Sequence, residues 1–169
     1  AAKADALVSL DNAQKSRDNA KAKAAAQIDS KIASSLADFD DAVTKANDAI
    51  TRLSDDLFTS DDRLAFSTSS SQFETDAVTT RAAAKAALPE LGSAVASAKA
   101  AGTASAVLAA STTVIAKLNV VKAHLDADAK VLDFAINLSS ATLSTYRSNV
   151  SAGQNNLTLS IQTISSDKS

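Results

Sequence analysis

Apolar positions recur at helical spacing along most of the chain. The clearest run covers residues 28–57, where Ile28, Ile32, Leu36, Phe39, Val43, Ala46, Ile50, Leu53 and Leu57 follow in steps of three or four. Such steps keep one stripe on one side of a helix and resemble the 3.5-residue repeat of helices packed nearly parallel or antiparallel. Leu7 and Leu10 begin the same stripe upstream, while residues 14–23 are weakly apolar. The first helix is therefore one rod of about 55 residues, roughly 80 Å at 1.5 Å per residue, or two helices broken near residues 11–17. With no Gly or Pro there, the unbroken rod is the preferred reading. It is expected to stop around Phe58, with Thr59, Ser60 and Asp61 capping the next segment and Asp62 in its first turn. Residues 67–71 read as a short loop or as helix with a polar face.

A second stripe comprises Phe73, Ala77, Ala84, Leu88, Leu91, Val95 and Ala98. Pro89 falls inside it and predicts a break or kink at Leu88–Pro89, since proline lacks the N–H of an interior helical position. Gly102 is a natural stop. The third segment, residues 103–150, is the most apolar and is expected to be central. Leu108, Ile115, Leu118, Val121, Leu125, Leu132, Ile136, Leu143 and Val150 hold its stripe, and Gly153 is expected to end it. In the tail, Leu157, Ile161 and Ile164 fit a short helix; a lone strand would have nothing to pair with. The pattern predicts an all-α, up-and-down bundle of long amphipathic helices without a sheet. It has three long units, about five helices counting breaks, in a single domain over residues 1–169.

Composition supports this. Three Gly and one Pro are too few for a fold built on tight turns, and 38 Ala favour helix. Leu, Val, Ile and Phe also number 38, enough for a core, but one rich in small residues. Less apolar area per helix face, at about 25 cal/mol per Å2, predicts modest stability and helices able to part.

Charge and chemistry narrow the function mostly by exclusion. Seventeen basic and nineteen acidic side chains nearly cancel, and aromatics are few, so neither phosphate contacts nor base stacking point to nucleic acid. No cysteine is present, and no uninterrupted apolar run approaches the roughly 20 residues of a transmembrane segment. The chain lacks Met and begins Ala1-Ala2-Lys3, which suggests a secreted chain after removal of a signal peptide, although a piece of a longer chain would begin in the same way.

No residue group forms a catalytic, metal or cofactor signature. His124, the one histidine, has Asp128 four residues on, but without a second strong ligand it reads as a surface histidine in a His124, Asp126, Asp128 patch. Asp55, Asp56, Asp61 and Asp62 flank a turn that lacks the register of a calcium loop and reads as capping plus a solvated acidic turn. Three glycosylation sequons start at Asn137, Asn149 and Asn156. Asn149 and Asn156, beside the expected turn at Gly153, are the preferred acceptors, and Asn137 is expected mid-helix.

The stripes themselves remain. In an Ala-rich bundle they suggest an interior that accepts a lipid chain or opens onto an apolar surface, lined by Phe39, Phe73, Val107, Val114, Leu118, Val121 and Phe134. The expectation is a secreted, non-enzymatic helical protein binding apolar small molecules such as lipid or fatty acid, or hydrophobic surfaces. The alternative is a structural or adhesive extracellular or cell-surface helical module.

Overall fold

The computed structural model describes residues 2–168. Four helices account for most of them: α1 (Ala2–Asp48), α2 (Ser71–Ala101), α3 (Ala104–Asp133) and α4 (Ser140–Asp167). α1 runs unbroken through residues 11–23, where Ala, Lys, Arg and Gln sustain the helix although little can be buried. The chain divides into two units at Ser34–Ser35. The first holds only the amino-terminal part of α1, and residues 2–31 are all exposed. All of the hydrophobic core lies in the second.

In that second unit α2 and α3 are joined by Gly102 and Thr103 alone, and α4 lies along α3. Gly102 takes φ +58° and closes α2 through its N–H to the Ala98 carbonyl; Thr103 then caps α3 by accepting from Ala106 N. α3 supplies the largest buried set, including Val114, Leu118, Val121, Leu125, Val131 and Leu132. Leu91 and Val95 of α2 and Val150, Leu157 and Ile164 of α4 join it, with Phe39 and Ile50 from the first segment. Ala42, Ala46, Ala77 and Ala84 are wholly buried, the small core that the composition implies. Ser35 Oγ donates to Asp167 Oδ2 at 3.2 Å, bringing the two ends of this unit together. By length and composition α3 would suffice to cross a membrane; here its inward face is core, and it carries Lys117, Lys122, Asp126, Asp128 and Lys130.

Several boundaries differ from the pattern. The first helix ends at Asp48, not Phe58, and passes into a π-helical turn (Ala49–Leu53) and a 3-10 turn (Asp55–Leu57). The wide turn, closed by Ser54 N on the Ala49 carbonyl at 3.1 Å, rotates the chain by one residue and leaves Ser54 wholly buried. The α2 cap is Ser70, whose Oγ accepts from Phe73 N, rather than residues 59–61. The expected third segment is two helices. Phe134 N closes α3 on the Val131 carbonyl, Asn137 takes φ +67°, and Ser139 caps α4 by accepting from Thr142 N. Gly153 does not end a helix; it lies inside α4, where a Cβ would stand 2.8 Å from Leu125 Cδ1, and the tail continues the same helix.

A minimal sheet is also present. β1 (Ser67–Thr68) pairs antiparallel with β2 (Ala135–Ile136), Ser67 opposite Ile136 and Thr68 opposite Ala135. Ser69 N extends the ladder to the Phe134 carbonyl at 2.9 Å. This ladder fastens the α1–α2 connection to the α3–α4 turn and leaves the class all-α.

Pro89 does not break α2, which runs through it. Its side is exposed, so water can satisfy the carbonyl that the missing N–H leaves free. Proline is about 3 kcal/mol worse than alanine inside a helix, offset by up to about 1 kcal/mol of lost unfolded-state entropy. Pro89→Ala is therefore expected to stabilise the bundle by about 2 kcal/mol, read as a melting temperature about 4–8 °C higher by calorimetry.

Candidate functional site: a polar network and an apolar tip

The connection between α1 and α2 concentrates the polar chemistry. Ser54 leaves the π-turn pointing inward, α2 offers Thr80 and Arg81, and α3 offers His124 and Asp128 on one face. Ser54, His124 and Asp128 are all 0% exposed. Ser54 Oγ lies 2.9 Å from His124 Nε2 and 2.7 Å from Asp128 Oδ2, and the latter two atoms are 3.3 Å apart. On the other side of the ring, His124 Nδ1 faces Thr80 Oγ1 at 3.4 Å.

Arg81, also buried, binds the connection from beneath. Its Nε donates to Asp62 Oδ1 at 2.8 Å and its Nη2 to Asp55 Oδ1 at 2.7 Å. Its guanidinium carbon lies 4.3 Å from the centre of the Phe58 ring, and Phe58 in turn tilts against His124 at 5.6 Å between centroids. Lys85 adds a second cation at 2.9 Å from Asp62, which sits at φ +56°. The two donors hold the Asp62 carboxyl below the usual carboxylate range. Asp55 and Asp62 thus serve an ion-paired clamp in place of the solvated turn that the sequence suggests. Among the described residues, Arg81 Nη1 and Asp128 Oδ1 have no hydrogen-bond partner.

Burial governs the titration of the inner pair. Desolvation, with the Arg81 charge adding to it, pushes His124 down to about 3. Desolvation pushes Asp128 up to about 7, against the Arg81 charge, which acts to lower it. A surface histidine is thus replaced by a core one. The reason is that Ser54 and Thr80 arrive from two other elements to satisfy its nitrogens. The signal was the gap between Leu125 and Leu132 in the α3 stripe: Asp128 occupies the missing inward position, one turn from His124.

Serine, histidine and aspartate together invite comparison with a hydrolytic triad, but the geometry differs. In a triad the carboxylate orients the ring nitrogen remote from the serine. Here Asp128 and Ser54 share the Nε2 side, Thr80 holds Nδ1, and the hydroxyl is sealed from solvent. The arrangement can hold and relay a proton internally. No cluster of three His, Asp or Glu able to hold a metal stands among the described residues.

The seven residues read as an apolar lining fall into two groups. Phe39, Val114, Leu118 and Val121 are wholly buried in the core, with Val107 half-buried against it. Phe73 and Phe134 meet instead at the β1–β2 end, 4.7 Å between ring centroids. There Phe134 and Ile136 remain 41% and 47% exposed, with half-buried Phe73 and Leu138 behind them. A separate pocket of about 240 Å3 between α3 and α4 is lined by Ala129, Asp133, Arg147, Val150, Ser151 and Gln154 and touches none of the seven. The sequons are also redistributed. Asn149 and Asn156 lie half-buried within α4, whereas Asn137 stands exposed in the α3–α4 turn rather than mid-helix.

No protein-family model, curated protein or solved structure matches the chain.

Proposed function

We propose that this chain is a secreted, non-enzymatic helical protein that binds apolar matter, a lipid or a hydrophobic surface, through its β1–β2 end. The observation that carries the reading is the exposure of Phe134 and Ile136, two positions apart on a turn held by ladder hydrogen bonds and backed by the Phe73 ring. Large apolar side chains fixed at a tip meet an apolar phase without unfolding anything. The interior route has less support, because four of its seven lining residues are already wholly buried.

Fully burying a Phe or Ile side chain contributes about 1.5–3 kcal/mol, and a little under half of each is still open to be covered, so the pair together offers about that much. Phe134→Asp combined with Ile136→Asp is therefore expected to weaken adsorption to alkyl-coated beads or phosphatidylcholine vesicles about tenfold or more, in protein that circular dichroism shows to be still helical. Undiminished adsorption by a folded double variant would sink the assignment of the tip.

A structural or adhesive role is the second reading, and one observation favours it. Residues 2–31 form helix with every side chain exposed, Leu7, Val8, Leu10 and Ile28 included. That reading predicts association with a partner protein that survives the tip substitutions and is lost when those four residues become polar.

A further inference from the structure

Ser54, His124 and Asp128 make more contacts than their hydrogens can serve unless one proton is added. Thr80 Oγ1 lies 2.7 Å from the Asp76 carbonyl and 3.1 Å from that of Ala77, which take its single hydrogen. Towards His124 it can only accept, so Nδ1 carries a proton, and burial beside the Arg81 charge keeps the ring neutral, with a lone pair at Nε2. The Ser54 hydroxyl, at 2.9 Å, fills that lone pair. Its hydrogen is then spent, and the 2.7 Å contact with Asp128 Oδ2 requires a hydrogen from the carboxyl. One proton on Asp128 completes a chain of donors aimed one way: Asp128 to Ser54, to His124, to Thr80, to the Asp76 carbonyl. Without it, one serine hydrogen faces two acceptors, and a carboxylate stands 3.3 Å from a nitrogen lone pair. With a second proton, a buried imidazolium faces the charge of Arg81.

We propose that Ser54, His124 and Asp128 form a latch holding one proton, and that loss of this proton loosens the connection over residues 54–66 from α2 and α3. The latch stands independently of the apolar-binding reading. What it fastens is an apolar cover: Leu57, Phe58 and Leu64 of the connection are themselves buried.

The surrounding charges are few. α2 presents Arg81, tied to Asp55 and Asp62 of the connection, with Lys85 on its outer side. On α3, Lys122 and Asp126 pair with each other, and Gln154 of α4 donates to Asp126. α4 meets this stretch of α3 through Gly153 and Gln154, both uncharged. At the end of α1, Asp48 and Arg52 pair on the exposed side.

The network keeps its single proton between about pH 3, where His124 gains one, and about pH 7, where Asp128 loses it. In an opened connection the ordinary values of 6.5 and 3.8 return, and one proton is still held over most of that range, on the histidine. Opening therefore shifts the proton from Asp128 to His124, and between about pH 4 and 6.5 acidity has no leverage. Above 6.5 the opened form holds no proton while the latched form still does, so rising pH favours opening until Asp128 too is ionised. The histidine masks most of the carboxyl's dependence.

Hydrogen exchange on the full chain tests this. Protection of the connection amides of Phe58, Thr59, Asp62 and Ala65, all hydrogen-bonded within it, is compared at pH 6 and 8.5 after correction for chemical exchange, with α3 core amides as reference. Wild-type protection is expected to fall about threefold, and that of His124→Gln, stripped of the masking group, about tenfold. Asp128→Asn supplies an N–H in place of the protonated carboxyl, and its protection should instead rise about fourfold, as the histidine dependence alone remains. Equal changes in all three proteins, or a fall in Asp128→Asn matching the wild type, would overturn the latch. If one variant does not fold, the sign shown by the other against wild type decides.

Discussion

Ser54→Ala is expected to lower the unfolding free energy by about 3 kcal/mol in chemical denaturation at pH 6. The side chain is small and adds little apolar area, so the loss comes from what it leaves behind. His124 Nε2 and Asp128 Oδ2 both rely on its hydroxyl and both are sealed from water. A buried polar group without a partner costs about 1–3 kcal/mol, and two are orphaned together. At 3.3 Å the two can recover only part of the loss from each other. A cycle with His124→Leu sharpens the test, since removing the histidine also removes one orphan. The double variant should cost clearly less than the sum of the singles. Additive costs would mean that Ser54 acts only through packing.

Phe39→Ala should be at least as severe, at about 3–5 kcal/mol, the range for deleting a buried aromatic side chain. Its severity follows from the company it keeps. The other wholly buried hydrophobic residues of α1 are Ala42 and Ala46, and alanine stripes bury little area. Phe39 is the one large wholly buried side chain that α1 brings to the core. The expected outcome is a drop in denaturation midpoint accompanied by selective loss of exchange protection in residues 35–48. A loss spread evenly over α2, α3 and α4 would show that Phe39 supports the whole core and not the docking of α1.

Much of the fold was legible because helical periodicity survives even where propensity is poor. The stripe from Phe39 to Ile50 is the buried face of the first segment, and the α3 stripe is the centre of the core. What the pattern missed has specific causes. The α3–α4 break contains neither Gly nor Pro; it is made by an asparagine at positive φ and a serine cap, residues that recur throughout this Ser-rich chain. Gly153 reads as a stop in sequence, yet it exists to let α4 approach Leu125. Pro89 reads as a breaker but sits where solvent relieves it. The polar network was invisible for another reason: its members lie 70 and 74 residues from Ser54, so no local spacing links them. Only the empty inward position between Leu125 and Leu132 hinted that something polar was buried there. Of the apolar lining, the stripes located the core residues, whereas the pairing of Phe73 with Phe134 needed the ladder that joins two distant turns.

The contact between Ser35 and Asp167 bears on the order in which the bundle assembles. It closes a loop of 132 residues, whereas α2 and α3 are separated by two. Closure entropy rises by about 0.6 kcal/mol for each doubling of loop length, so the α2–α3 hairpin should form early and the seam between the two ends of the second unit late. That seam also sets Asp38 against Asp167. Burial, then the hydrogen bond and charge of Asp167, raise the Asp38 pKa, so its stabilising share is greatest in acid and fades as pH rises through that raised value. Assembly is therefore expected to proceed from the middle of the sequence outward, and rising pH to weaken the joint made last.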